Sequence, residues 1–147
     1  MRIKRFESFG VKKLIWIHGL PGSGKTYLAN QINKDGDYSI LDDIMDISLI
    51  EAEMNKGRDI ILSSPYFESF TGMPFESRLR KILNSSDYEV EELWFENDPE
   101  KCIENVKSRK DHKIKANNLL PEIKMFSSRY KIPEGVRTIP IWSNQKV

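Results

Sequence analysis

The fold is decided by residues 14–26, Leu14-Ile15-Trp16-Ile17-His18-Gly19-Leu20-Pro21-Gly22-Ser23-Gly24-Lys25-Thr26. Leu14 to Ile17 is an unbroken apolar run, the pattern of a strand buried on both faces. Beyond Thr26, Leu28, Ala29 and Ile32 fall at helical spacing. The turn between them, Gly19 to Thr26, fits G-x-x-x-x-G-K-[ST]. Glycines let a backbone wrap closely round an anion and turn its N–H groups inward. A helix that starts at Lys25 aims its N-terminal dipole and N–H groups at the same point. The spacing therefore predicts a polyphosphate cradle from Gly19, Leu20, Pro21, Gly22, Ser23, Gly24, Lys25 and Thr26. Lys25 brings a positive charge to the β- and γ-phosphates, and the Thr26 hydroxyl is a ligand for Mg²⁺. A glycine-rich turn without a ligand is the alternative, and the flanking strand and helix favour the nucleotide.

Outward from this loop, β-type and helical patterns alternate. Strands are predicted at Tyr38–Leu41, Asp59–Leu62, Tyr88–Phe95 and Val136–Trp142. Helical stripes are carried by Ile44, Ile47, Ile50 and Met54 (closed by Gly57), by Phe75, Leu79, Ile82 and Leu83, and by Leu119, Ile123, Phe126 and Tyr130. Asp98 is an expected N-cap with Pro99 at the first helical position, opening a helix through Ser108. The stretches 65–74 and 109–117 break the pattern and are expected to be loops. This alternation predicts an α/β fold of three layers, a five-stranded mostly parallel sheet with helices on both faces. Residues 1–147 are expected to form a single domain with no internal repeat.

Composition narrows the function. The 147 residues carry 23 Lys and Arg against 22 Asp and Glu, a net charge of +1, with seven Phe, five Tyr and three Trp. A chain so balanced and so aromatic is expected to fold, and it is not a wholly basic nucleic-acid scaffold. Cys102 is the lone cysteine, so no internal disulfide forms. No apolar run approaches a membrane span, and basic residues near Met1 are not followed by a hydrophobic stretch. The expectation is a cytoplasmic protein with no membrane contact and no obligate protein partner.

The P-loop, the Asp42-Asp43 pair closing the second strand, and the Asp98-Pro99-Glu100 helix leading into a basic stretch together resemble the polynucleotide-kinase-like P-loop kinases. Small nucleotide kinases and zeta-toxin-type kinases are relatives of that group. The resemblance implies an ATP-dependent (or GTP-dependent) phosphotransferase that uses Mg²⁺. The acceptor it implies is a nucleotide or a nucleic-acid 5′-hydroxyl. A kinase for another small molecule and a non-catalytic nucleotide-binding module are the alternatives.

Asp42 and Asp43 lie at the carboxyl edge of the sheet, where open α/β folds bind ligands. Strand alternation sends them to opposite sides, so at most one faces the site. The resemblance implies that Asp42 is the general base. A helix-capping role is the other reading, with Asp43 a cap or metal-shell candidate and Asp46 expected on a solvated helix surface. Polynucleotide kinases carry an Arg three residues after the base, where this chain has Met45; Arg78 and Arg80 are candidate substitutes for its phosphate grip. Many P-loop enzymes end the third strand with an Asp near Mg²⁺. Here Ser63 stands there, either reaching a metal-bound water or, with Ser64, only ending the strand.

Lys107, Arg109, Lys110, Lys113 and Lys115 crowd one short stretch, opposed only by Asp111. Such a run reads either as a solvated helix face or as a basic lid, at about 107–117, that closes on the transferred phosphate. The resemblance implies the lid, with Arg109 as its phosphate-binding arginine and Asn105 in place of an earlier Arg. His112 is expected on the surface and His18 as a satisfied strand-end histidine. Trp16 and Trp94 are expected in the core. Trp142, Ser143 and Asn144 are candidate contacts for the nucleotide base, and Tyr66 to Phe70 either stacks an acceptor base or packs on the sheet.

Overall fold

The computed structural model describes residues 11–42, 46–63, 75–108 and 113–141, and for 113–120 the backbone alone. Among these residues five strands form one sheet: β1 Lys12–His18, β2 Tyr38–Asp42, β3 Asp59–Ser63, β4 Tyr88–Phe95 and β5 Thr138–Ile139. Their order is β2-β3-β1-β4-β5, and every pairing is parallel. The helices are α1 Lys25–Ile32, α2 Ile47–Asn55, α3 Phe75–Asn84, α4 Pro99–Lys107 and α5 Lys113–Arg129.

The middle of β1, Leu14 to Ile17, is apolar because both of its faces are covered. Leu14 and Trp16 join Ile60, Leu62, Ile47, Ile50, Phe75, Leu79 and Leu83 under α2 and α3. Ile15 and Ile17 point the other way, joining Ala29, Cys102, Val106, Ile123 and Phe126 from α1, α4 and α5. Period-two alternation thus divides one strand between two cores, giving the three-layer α/β architecture. In α3, Phe75, Leu79 and Leu83 recur every fourth residue and are buried. Each such side chain contributes about 2 kcal/mol of apolar burial.

The helix ends follow local chemistry. Asp98 accepts the Lys101 N–H at 3.2 Å, with Pro99 opening α4. Asp46, expected on a helix surface, is instead the N-cap of α2. It accepts the Ser48 N–H at 3.0 Å and the Ser48 hydroxyl at 2.7 Å, because a serine two residues on offers both donors. Ile44 lies outside the described residues.

Several boundaries differ from expectation. β2 and β3 each extend one residue further, to Asp42 and Ser63, which become register partners. β5 is confined to Thr138 and Ile139, since Pro140 has no N–H to continue the ladder. Helix α5 begins at Lys113, so residues 113–117, expected as loop, are helical. Their Lys, Ile and Ala content is compatible with helix, and charge density alone does not signal a break. The expected loop at 65–74, the lid residues 109–112 and the segment from Trp142 onward lie outside the described residues.

Candidate active site

The loop after β1 is closed on itself. Ser23 N–H donates to the Leu20 carbonyl at 3.0 Å, and the Lys25 ammonium returns to the Gly19 and Leu20 carbonyls at 2.9 and 3.2 Å. Gly22 and Gly24 have φ of 87° and 107°, the left-handed region that side chains rarely adopt. Gly24 is the N-cap of α1, so the helix axis starts where the loop ends. The first-turn N–H groups of a helix have no partner within it, and they point out of its N-terminus. Leu20 and Ser23 are buried. Among the described residues the Ser23 hydroxyl has no hydrogen-bond partner, an orphaned polar group inside the turn. A closed turn, two left-handed glycines, a buried ammonium and a helix N-terminus form a set of groups that suits an anion.

At the edge of this loop, the Thr26 hydroxyl donates to Asp42 Oδ2 at 3.0 Å. Asp42 Oδ1 accepts the Ser63 hydroxyl at 2.5 Å. The register explains the meeting. Asp42 pairs with Ser63, and Ser63 pairs with Ile17, whose side chain packs beneath α1. Asp42 and Ser63 therefore share the sheet face that α1 covers. Thr26 and Asp42 are exposed, whereas Ser63 is 2% exposed. Two hydroxyls and a carboxylate are hard oxygen donors of the kind Mg²⁺ takes alongside phosphate oxygens. Among the described residues no group of three or more His, Cys, Asp and Glu is placed to hold a metal by itself. A cation here would thus draw on Thr26, Asp42 and the nucleotide together.

On the opposite sheet face, behind the loop, lies a second polar cluster. His18 Nε2 is 2.8 Å from Glu92 Oε1. Arg80 NH1 and NH2 donate to Glu92 at 2.7 and 3.0 Å, and Arg80 also donates to Glu76 at 3.0 Å. The guanidinium sits 4.7 Å from the Trp16 ring centre, and the His18 ring stacks on Trp94 at 3.8 Å. Burial holds the His18 imidazole below its ordinary range, although Glu92 pulls the other way. Burial alone would raise the Glu92 carboxyl, but hydrogen bonds from His18 and Arg80 outweigh it and bring it down to about 2. An ionised Glu92 only accepts, so neutral His18 carries its proton on Nε2. His18 is thus satisfied within the fold, as expected, and Trp16 and Trp94 are buried.

Arg80, a candidate grip for an acceptor's phosphate, is engaged by two carboxylates and an indole. Arg78 is exposed two residues earlier, about 200° round the helix. Arg109 and Met45 lie outside the described residues, as does Asp43; Lys107 is exposed at the end of α4.

Two loop anchors carry no motif. Asn105 Nδ2 donates to the Gly22 carbonyl at 2.9 Å, and the Tyr130 hydroxyl reaches the His18 carbonyl at 3.2 Å and the Phe95 carbonyl at 2.5 Å. Burial raises the Tyr130 phenol, keeping it a donor. The sequence signal for both was weak: a polar residue inside an apolar helical stripe.

A parallel sheet of this order with a glycine-lysine loop after its central strand is the P-loop NTPase fold. Consistent with this, the chain superposes on a gluconokinase from Sinorhizobium meliloti 1021 with a TM-score of 0.52, over 88% of this chain and 81% of that one, at 14% identity. In sequence it is 27% identical over 130 residues to an uncharacterized protein of Acanthamoeba polyphaga mimivirus, covering 82% of this chain and 88% of the relative. No protein-family model matches the chain. Among the described residues, no helix is long and apolar enough to cross a membrane.

Proposed function

We propose that the protein is an ATP-dependent phosphotransferase that moves the γ-phosphoryl group to an acceptor hydroxyl. The observation that carries this reading is the closed loop with its buried Lys25, set beside the Thr26–Asp42 hydrogen bond. The loop amides and Lys25 would bind the triphosphate and hold its terminal group in line. Thr26 would hold Mg²⁺, with the Asp42 carboxylate adding negative charge close by, and the ion when bound offsets phosphate charge. Ser63 keeps Oδ1 of Asp42 fixed. With Thr26 turned to the cation, Oδ2 is the oxygen left to take the acceptor's proton. The acceptor oxygen forms its bond to the γ-phosphorus as the bond to the β–γ bridging oxygen breaks, and ADP departs. Arg109 is proposed to close over the transferred group.

A nucleotide or nucleic-acid 5′ end is the acceptor implied by resemblance. A second reading, a small-molecule alcohol without a phosphate of its own, is favoured by Arg80. That guanidinium is spent on Glu76 and Glu92, on the sheet face opposite Asp42. Labelled ATP and Mg²⁺, incubated with nucleosides, nucleotides, oligonucleotides and sugar alcohols, tests both. Label in an acceptor, absent with Asp42→Asn, supports the transferase. ATP that binds and is never turned over with any acceptor supports a binding module instead.

A further inference from the structure

We infer that Asn105 is a positioning residue for the phosphate cradle, acting through the peptide that joins Gly22 to Ser23. This rests on the nucleotide-binding reading of the loop.

That peptide is held at both ends. Its carbonyl accepts from Asn105 Nδ2 at 2.9 Å, and its N–H donates to the Leu20 carbonyl at 3.0 Å. Gly22 needs such restraint because glycine passes between positive and negative φ at little cost. A flipped peptide would turn the Gly22 carbonyl towards the cup, placing a partial negative charge where an anion must sit. It would also redirect the amides that follow. The proline before Gly22 restrains its own φ and the residue ahead of it, and leaves Gly22 free to turn.

The donor is well fixed for this purpose. Asn105 is 5% exposed on α4, and the Ser108 hydroxyl caps its carbonyl at 2.9 Å. The same helix presses against Gly22. A Cβ there would stand 2.6 Å from the Cys102 carbonyl and 2.9 Å from Val106 Cγ2. A short amide reaches the loop from this distance and holds its shape. The cradle is therefore completed by a residue 83 positions downstream.

The test compares wild type, Asn105→Ala, Asn105→Asp and Lys25→Ala. Titration calorimetry measures affinity for Mg·ATP and for inorganic tripolyphosphate, and hydrogen exchange follows the amides of residues 19–26. Asn105→Ala is expected to weaken both ligands roughly tenfold, by loss of one part-buried hydrogen bond and its geometry. Loop exchange should quicken while β1 stays protected. Asn105→Asp keeps the volume and removes the donor at neutral pH, so it must weaken binding at least as much; it serves even if the alanine variant fails to fold. Wild-type affinity and loop exchange in the folded Asn105 variants, with binding lost in Lys25→Ala, overturn the inference alone. A lower melting temperature without change in tripolyphosphate affinity also overturns it, because that is a structural role only. Wild-type protein that binds neither ligand overturns the cradle reading itself.

Discussion

Thr26 and Asp42 meet through a 3.0 Å hydroxyl–carboxylate hydrogen bond that joins the first turn of α1 to the last residue of β2. The P-loop threonine and the acidic strand end are thereby placed within one cation's reach. Asp42→Asn keeps the shape and removes the charge and basicity. Phosphoryl transfer is expected to fall about 10²-fold or more, the scale of a general base. ATP affinity should change far less, and a rapid-quench assay beside equilibrium binding separates the two.

Lys25→Ala is expected to abolish measurable ATP binding with little loss of secondary structure. Its ammonium is a full charge buried in the loop, and the carbonyls it leaves belong to a turn still closed by Ser23. Circular dichroism and calorimetry check this. Unchanged affinity would refute the loop assignment.

Gly22→Ala should be costly in both respects. A φ of 87° and a Cβ 2.6 Å from a backbone carbonyl leave no easy relief. A destabilisation of about 2 kcal/mol or more, with lost nucleotide binding, is expected from strain of this kind. Urea unfolding measures the first part.

Acidification should weaken the cluster behind the loop. Glu92 is held at about 2 against an ordinary 4.5, so its contribution is present above 4.5 and drains away as pH falls towards 2. His18, depressed by burial, adds a loss of the same sign that begins as pH drops below 6.5. Urea midpoints at pH 7, 5.5 and 3.5 should decline less steeply in Glu92→Gln than in wild type. Parallel curves for the two proteins would remove Glu92 as a source.

Cys102 offers a simple check on the packing of α4. Burial pushes its thiol up to about 12, and it is wholly inaccessible in the core. Native protein should resist a thiol reagent at pH 8 and react at once in denaturant.

Much of this was legible in the sequence because its signals are local. The loop, the N-cap at Asp98 and the apolar stripe of α3 depend on neighbours within a turn or two. The register that brings Asp42 to Ser63 depends on strands 21 residues apart in sequence. No periodicity reports such a pairing. Arg80 reads in sequence as a candidate phosphate grip, and only the packing of α3 on β4 pairs it with Glu92 instead. Asn105 was visible only as a missing arginine, since its partner is a backbone carbonyl. The helical start at Lys113 has no such local signal, because crowded lysines speak to solvation and leave conformation open.

The Tyr130 hydroxyl has a consequence for synthesis. It secures the carbonyl of His18, the residue just ahead of the loop, across 112 positions of chain. A ribosome therefore releases the glycine-lysine segment long before its foundation is in place. The emerging polypeptide carries the recognition sequence early and gains its fastening only when the last long helix docks. Shortened products that stop before residue 130 would keep every letter of the motif and lack the bolt beneath it.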